Sequence, residues 1–266
     1  MISNIPLYFY PTEIVMVDDD QALAQAIVLK LRHKNFRMFH HPNQAQQYFN
    51  SLPPDAKNSV LLVDYHMPEM TGLQLLASIH QPALKKILMT SEQDYKIAVD
   101  AFNQGLIQGY LRKDEPHFIE RLSIMIDDMT WQYFAEKTMA EVLVLGEYTD
   151  FFRDAACVKW FQQLLVQQSA LSFAWQDTIG GFVLHHAGQK TSQVLVRSLP
   201  QLKTLAQAAQ EDGASAEVVE QIGHGKALPF FGENTPYWKV KANEWYQYLY
   251  PASGHCGAWI FFNIAG

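Results

Sequence analysis

Polar side chains follow four apolar segments in the first half of the sequence. They are Asp18 and Asp19 after EIVMV, Asp64 after VLLV, Thr90 after KKILM, and Lys113 after GYLR. Three carboxylates held close together repel one another, and burying them without a partner costs several kcal/mol or raises their pKa values. We therefore expect a cation among them, and hard oxygen ligands with room for water suit Mg²⁺.

The lysine and the threonine add groups that bind a phosphoryl oxygen. Lys113 supplies a mobile positive charge that can pair with Asp64 or with a phosphoryl group, and Thr90 supplies a hydroxyl donor. A carboxylate nucleophile, a divalent metal ion, an ammonium and a hydroxyl are the parts needed to accept a phosphoryl group in line and to spread its charge. A single aspartate at a strand end is often a turn former or a helix cap instead, but the joint arrangement favours the functional interpretation.

Alternating strand and helix patterns must position these residues. Short apolar runs predict five strands, each followed by apolar residues at helical spacing. The strands are too apolar to be half exposed, so we predict an α/β fold with a doubly wound parallel sheet and helices on both faces. In such a sheet ligands bind beyond the carboxyl ends of the strands, where the five polar side chains should converge.

Four motifs in this region resemble the receiver domain of bacterial two-component response regulators. They are IVMVDDD, VDYHMPEMTG with its D-x-x-M-P-x-M-x-G pattern, LMTSE and GYLRKD, within about residues 11–130. The resemblance implies a flavodoxin-like (βα)5 fold in which an aspartate takes a phosphoryl group from a phosphohistidine of a sensor histidine kinase or a phosphotransfer protein. It also implies self-catalysed phosphotransfer and dephosphorylation, so whether the chain is an enzyme in its own right stays open.

The resemblance assigns roles by position. It implies Asp64 as phosphoacceptor, Asp19, Asp64 and the backbone carbonyl of His66 as direct Mg²⁺ ligands, Asp18 as a ligand through water, and Lys113 and Thr90 as phosphoryl-oxygen contacts. Tyr110, three residues before the lysine, matches the family's aromatic switch and would act with Thr90; it could also be a plain packing residue. The family further implies a possible homodimer through the face of helix 4, strand 5 and helix 5.

We predict three parts of the chain: a receiver domain over residues 1–130, a helical linker over 131–146, and a smaller α+β domain with an antiparallel sheet over 147–266. The linker rests on WQYFAEKTMAEV, which continues a helical pattern without Pro or Gly up to Gly146. Two helices with an unmarked break are the alternative.

The second half has short strand patterns separated by turn residues. LSFAWQ, GGFVLHH and SQVLVRS predict three strands, and helical patterns follow at residues 201–210 and 216–221. EWYQYLY and GAWIFFNI predict a closing hairpin around Pro251–Gly254. Strands joined by such short turns are antiparallel.

Charge and hydropathy exclude several classes of protein. The formal net charge is −7 and both halves are acidic, so DNA is an unlikely partner. No apolar run approaches the roughly 20 residues that a membrane helix needs, so we predict a cytoplasmic chain without a membrane partner. The two cysteines, Cys157 and Cys256, sit in no CxxC pair, which predicts buried free thiols rather than a disulfide or a zinc site.

The second half shows no known enzymatic motif. GHGK lacks the upstream glycine and the following Ser or Thr of a phosphate loop, which predicts a turn. His185, His186 and GHCG could supply metal ligands, but their spacing matches no known site. Aromatic residues crowd positions 237–250, as in a core or a binding surface. We predict a protein- or ligand-binding module with an unknown protein or small-molecule partner; the alternative is a receiver-regulated enzyme with an unfamiliar C-terminal active site.

Overall fold

The computed structural model describes residues 4–53, 58–91, 95–231 and 240–265 of the 266-residue chain. The chain divides into two compact units. One contains Pro11–Ala140, and the other contains the residues from Glu141 onward together with the N-terminal segment up to Tyr10. Within the described residues, no helix combines the length and the apolar character needed to cross a lipid bilayer.

The first unit is a five-stranded parallel sheet flanked by helices. Its strands are β1 (Glu13–Val17), β2 (Asn35–Phe39), β3 (Asn58–Asp64), β4 (Lys85–Thr90) and β5 (Gly109–Arg112), and its helices are α1 (Gln21–Lys30), α2 (Pro42–Ser51), α3 (Gly72–Ser78), α4 (Tyr95–Asn103) and α5 (Phe118–Lys137). The strand order is β2-β1-β3-β4-β5 with every neighbouring pair parallel. The predicted doubly wound α/β fold is therefore confirmed.

The central strands are apolar throughout because both faces of the sheet are covered. Along β3, Val60 and Leu62 pack into one core cluster, whereas Leu61 and Val63 pack into the other. All four side chains are fully buried. This is the reason that these strands read as continuous apolar runs rather than as alternating ones.

Helix α5 continues beyond the receiver pattern and ends at Lys137. Thr138 breaks the helix with φ −100° and ψ 1°, and a short α6 (Met139–Val142) follows. The Thr138 hydroxyl donates to the carbonyl of Phe134 at 2.9 Å, so the break is hydrogen-bonded and buried. The region predicted as a linker thus contains two helices separated by one residue.

The second unit combines helices with an antiparallel sheet, as predicted. Its helices are α7 (Thr149–Arg153), α8 (Ala155–Gln167), α9 (Leu199–Glu211) and α10 (Ala216–Gly223), and its strands are β6 (Ser172–Gln176), β7 (Gly181–His185), β8 (Thr191–Ser198), β9 (Ala227–Pro229), β10 (Leu249–Pro251), β11 (Gly254–Cys256) and β12 (Trp259–Ala265). The main sheet has the order β6-β7-β8-β12-β11, and β9 pairs with β10 in a separate ladder. All of these pairs are antiparallel.

A short N-terminal strand (Tyr8–Phe9) extends this second sheet. Tyr8 pairs with Ala174 and Phe9 with Phe173, both in β6. The backbone N–H of Trp175 also donates to the carbonyl of Leu7 at 2.6 Å. The sequence patterns did not predict this strand, because two residues are too few to show a period.

Aromatic side chains form much of the core of the second unit. Phe161 and Phe182 are fully buried with ring centroids 4.3 Å apart, and Trp160 stacks on Phe261 at 3.5 Å. Within the crowded aromatic span Trp245 is buried, whereas Tyr246 is exposed. Tyr237 and Trp238 lie outside the described residues.

The predicted hairpin of EWYQYLY with GAWIFFNI is wrong in its first strand. Residues Ala242–Tyr248 form a 3₁₀ helix, and β10, which follows it, pairs with β9. The hairpin instead joins β11 to β12. Trp245 is the buried residue of the segment, with Ala242 and Tyr248 partly buried at a spacing of three, which suits a 3₁₀ helix.

The start of α3 depends on a glycine. The backbone N–H of Gly72 donates to the carbonyl of Tyr65 at 2.8 Å, and a Cβ at this position would lie 2.3 Å from the carbonyl oxygen of Asp64. Thr71 caps the helix by accepting from the N–H of Gln74, whose side chain accepts from the N–H of Thr71. The loop after β3 can close only with a glycine at residue 72.

We expect Gly72→Ala to destabilise the first unit by about 1–3 kcal/mol, because the methyl group forces the backbone at Asp64 to move. Gly223→Ala is the matched control, since its Cβ would meet the Cβ of Ala206 at an ordinary 3.4 Å. Urea denaturation followed by far-ultraviolet circular dichroism measures both. Equal midpoints for Gly72→Ala and the wild type would contradict this account of the loop.

Candidate functional site

Asp18 follows β1 and is fully buried. Its N–H donates to the carbonyl of Phe39 at 3.1 Å, and its Oδ1 accepts from the N–H of Asp20 at 3.0 Å. Its carbonyl oxygen lies 3.0 Å from Nδ1 of His40. The backbone N–H of Asp20 therefore helps to hold the Asp18 carboxylate at the carboxyl end of the sheet.

Asp64 is the last residue of the neighbouring strand β3 and is 5 % exposed. It pairs in register with Met89 on β4, and the N–H of the following Tyr65 donates to the carbonyl of Met89 at 2.8 Å. Pairing therefore extends to the strand end, and the aspartate is anchored there with its side chain at the edge of the sheet.

Lys113 joins the two buried carboxylates. Its Nζ lies 2.8 Å from Oδ2 of Asp18 and 2.8 Å from Oδ1 of Asp64. The lysine follows β5, and its N–H donates to the carbonyl of Thr90 at 2.8 Å. One ammonium thus supplies the cation that two adjacent buried acids require.

The pKa values reflect this arrangement. Burial raises the pKa of Asp64, and the charges of Asp18 and Asp19 raise it further, against the lowering effect of the Lys113 ammonium. Burial is the largest single influence on Lys113 and lowers its pKa, but the hydrogen bonds and charges of Asp18 and Asp64 together raise it above its ordinary value. The lysine is therefore charged at neutral pH.

Asp19 completes a cluster of three acids. One carboxylate oxygen each from Asp18, Asp19 and Asp64 lie within 4.8 Å of one another, and Asp19 is exposed while the other two are buried. These are hard oxygen donors, and the exposed acid leaves one side of the cluster open to water. The donor set fits Mg²⁺, which takes one or two protein carboxylates and completes its octahedron with water and phosphate.

The other predicted site residues lie on the same or adjacent segments. His66 is exposed in the loop two residues after Asp64, with its ring 4.7 Å from that of Tyr65. Thr90 ends β4, next to the strand of Asp64, and is 3 % exposed. Tyr110 is half-buried on β5 and pairs in register with Leu88. The carboxyl ends of four strands thus meet at the acid cluster.

Sequence reasoning missed two residues that support the site. Gly72 was part of the quoted pattern, but only its distance to the Asp64 carbonyl explains it. His40 carries no motif, because its contact to the Asp18 carbonyl crosses from β2 to β1. A histidine one residue beyond an edge strand gives no signal in a single sequence.

The second unit contains an open pocket of about 380 Å³. Tyr148, Arg197, Gln201, Leu205 and Phe230 are among the residues that line it. The Arg197 guanidinium donates to the carbonyls of Ile179, Gly180 and Val196, each at 2.7 Å. Among the described residues no carboxylate forms an ion pair with it.

Burial lowers the pKa of Arg197, while the nearby Tyr148 and Glu147 raise it. A Cβ at Gly180, which has φ +57°, would lie 2.5 Å from the Tyr148 hydroxyl and 2.7 Å from Nη1 of Arg197. The glycine therefore lets the cation and the phenol come together in this wall of the pocket. Nothing in the sequence patterns marked this site.

One of the histidines considered as metal ligands, His186, has other partners. His186 contacts the carbonyl of Gln168 through Nδ1 at 3.0 Å and the hydroxyl of Ser192 through Nε2 at 2.8 Å. Both ring nitrogens are therefore occupied by hydrogen bonds that tie β7 and β8 to the end of α8.

Comparison with proteins of known function gives relatives of this chain. The NtrC protein of Proteus hauseri, named a DNA-binding transcriptional regulator, is 34 % identical over 46 % of this chain and 25 % of its own length. The NtrC protein of Salmonella typhimurium is 28 % identical over 83 % of this chain and 46 % of its own length. The chain thus spans less than half the length of these relatives.

A solved structure is similar to almost the whole chain. It is the response regulator LqsR of Legionella pneumophila, with 27 % identity and a TM-score of 0.83 over 98 % of this chain and 89 % of that one. Residues 14–123 match the family described as response regulator receiver domain, and no family matches the C-terminal half. With the parallel sheet and the acid cluster at its carboxyl end, these matches lead to one conclusion: residues 14–123 of this chain form a response regulator receiver domain.

Proposed function

We propose that this chain is a cytoplasmic response regulator that accepts a phosphoryl group on Asp64 from a sensor histidine kinase or a phosphotransfer protein, in a magnesium-dependent reaction. The observation that carries the proposal is the position of Lys113, 2.8 Å from both Asp18 and Asp64, beside the exposed Asp19. A nucleophilic carboxylate, a cation and additional acids share one edge of the sheet.

The proposed reaction transfers a phosphoryl group from nitrogen to oxygen. A carboxylate oxygen of Asp64 forms the new P–O bond while the P–N bond of the phosphohistidine breaks and its electron pair stays on the imidazole. Asp19, Asp64 and the His66 carbonyl would hold Mg²⁺ directly and Asp18 through water, and the ion would supply positive charge to the phosphoryl oxygens. Lys113 and the Thr90 hydroxyl would contact the remaining oxygens.

Lys113 changes partners during the proposed reaction. Before transfer it neutralises Asp18 and Asp64. After transfer Asp64 is an acyl phosphate, and the ammonium would pair with a phosphoryl oxygen instead. Transfer and later hydrolysis both use the receiver's own residues, so the receiver acts as a self-catalysed acceptor.

We expect Asp64→Asn to abolish labelling by a small phosphodonor in the presence of Mg²⁺, because the amide keeps the shape but is not a nucleophile. Asp20→Asn is the matched control. The Asp20 side chain caps α1 by accepting from the N–H of Leu23 at 3.0 Å, which asparagine also does. Intact-mass spectrometry measures the phosphoryl adduct, and an undiminished adduct on Asp64→Asn would refute the assignment.

We also propose a switch that starts from Thr90 and Tyr110. Movement of Thr90 toward the phosphoryl group would let the half-buried Tyr110 turn inward, which remodels the face formed by α4, β5 and α5. That face is the proposed homodimer surface. The output of the second unit would depend on the fraction of receivers in which this face is remodelled.

A beryllofluoride phosphoryl mimic with Mg²⁺ should raise the dimer fraction of the wild type and shift the NMR signals of a ring-labelled Tyr110. Asp64→Asn should show neither change, since the mimic binds the carboxylate. Sedimentation velocity measures the oligomeric state. A wild type that binds the mimic without either response would identify the receiver as an unswitched scaffold.

For the second unit we propose a protein- or ligand-binding module. The pocket beside Arg197 supports a small-molecule ligand with a hydrogen-bond acceptor, since the guanidinium is fixed to carbonyls and has no carboxylate partner among the described residues. The NtrC relatives are named DNA-binding regulators, but the chain covers less than half their length. The net negative charge of this chain argues against DNA as the partner.

The full chain, with or without the phosphoryl mimic, should not retard duplex DNA in a gel at physiological salt. The physical reason is that an acidic chain releases few counterions from phosphate. Tight binding that weakens steeply with salt and depends on sequence would contradict the proposal. Turnover of a nucleotide or an ester that is lost in Arg197→Gln would instead support the enzyme alternative.

A further inference from the structure

Two thiols and a carboxylate converge in the second unit. Asp154 immediately precedes α8, Cys157 lies in its first turn, and Cys256 ends β11. One oxygen of Asp154 and the two sulfur atoms lie within 4.8 Å of one another. Sγ of Cys256 is 3.9 Å from Oδ1 of Asp154, and Sγ of Cys157 is 3.6 Å from the Cys256 carbonyl.

We propose that Asp154, Cys157 and Cys256 form a zinc site with water as the fourth ligand. Thiolates select zinc over magnesium and calcium, which require oxygen ligands, and zinc also accepts an aspartate oxygen. Three protein ligands with one open position satisfy its tetrahedral preference. The cysteines are 99 residues apart in sequence, so the site contains no CxxC motif that could be recognised from the sequence.

The distance between Cys256 and Asp154 is close to the one that a zinc ion requires. A tetrahedral ion with Zn–S of about 2.3 Å and Zn–O of about 2.0 Å holds its sulfur and oxygen ligands about 3.5 Å apart. The separation of 3.9 Å between Cys256 and Asp154 therefore needs only a small contraction.

The carboxylate is oriented before any ion arrives. Oδ1 of Asp154 accepts from the N–H groups of Ala156 at 2.8 Å and Cys157 at 3.0 Å. A carboxylate has a second oxygen, and Oδ2 lies beside Gly257, whose added Cβ would be 3.9 Å away. Oδ1 thus caps the helix and holds the carboxylate beside the thiols, where either of its oxygens can be the ligand.

The local helix field suits two thiolates, whereas burial favours the neutral thiols until an ion binds. Cys157 is in the first turn of a 13-residue helix, where the helix dipole stabilises negative charge. Both cysteines are buried and free, whereas Asp154 is exposed, so an ion can enter past the carboxylate. Burial and the neighbouring Cys256 and Asp154 raise the pKa of Cys157. Coordination would replace the thiol protons, which leave to solvent.

Such an ion would join distant parts of the unit. It would link the start of α8 to the final hairpin of the sheet, β11 with β12. A ligand that binds only the folded state stabilises that state. Zinc should therefore raise the melting temperature of the second unit in addition to occupying the three side chains.

In the test, Co²⁺ is titrated into the full chain. A phosphine reductant keeps the thiols reduced, and excess Mg²⁺ occupies the receiver acids. We expect one equivalent to produce thiolate-to-cobalt charge-transfer absorption and tetrahedral d–d bands, which Zn²⁺ then removes. Cys157→Ser and Cys256→Ser should each lose most of the signal. Asp154→Asn, which preserves the helix cap, should weaken binding by an order of magnitude.

Two controls separate this site from others. His255→Ala changes an exposed neighbour of Cys256 and should leave the titration unchanged. Asp64→Asn should also leave it unchanged, because that acid belongs to the receiver. If either serine variant fails to fold, protection of both wild-type thiols from alkylation by one equivalent of Zn²⁺, read by intact mass, tests the same point.

Absence of the charge-transfer band in folded wild type would overturn the proposal. So would a band that persists in the Cys157→Ser, Cys256→Ser double variant, since the thiolates would then not be ligands. Alkylation of both thiols at the same rate with and without Zn²⁺ would overturn it equally.

Discussion

The ion pair of Lys113 with two buried carboxylates is the interaction on which the receiver half depends. Asp18 has no exposed surface and the Asp64 side chain is 8 % exposed, so neither charge can rely on water. The ammonium between them offsets that cost only because β1, β3 and β5 end at the same edge of the sheet. A shift of one strand by one residue would move its acid or its lysine to the other face.

The backbone around this ion pair allows little freedom. Gly72 lets α3 begin against the carbonyl of Asp64, and His40 contacts the carbonyl of Asp18. Both contacts act on main-chain oxygens next to the acids, so they position the carboxylates without competing for them. The exposed Asp19 is the part of the cluster that remains open to a metal ion and a phosphoryl donor.

Sequence reasoning predicted the receiver well because its strands are buried on both faces. Continuous apolar runs such as EIVMV do not fit the spacing of an amphipathic helix. The strand Glu13–Val17 has the same bounds as the run from which it was predicted. The aromatic segment Ala242–Tyr248 misled the same reasoning, since its spacing of three was hidden by side chains typical of strands. The approach of Cys157 to Cys256 and the pocket at Arg197 depend on tertiary packing, which a single sequence does not encode in any local pattern.

The strand Tyr8–Phe9 has a consequence for the order of events during synthesis. Its partner β6 begins at Ser172, so the first strand leaves the ribosome long before the edge it completes, and the whole receiver lies in between. Closing a loop of that length is less costly when the intervening chain has already folded and brought its ends nearer. A fragment made from residue 141 onward would therefore present β6 as an uncovered edge open to pairing with other chains.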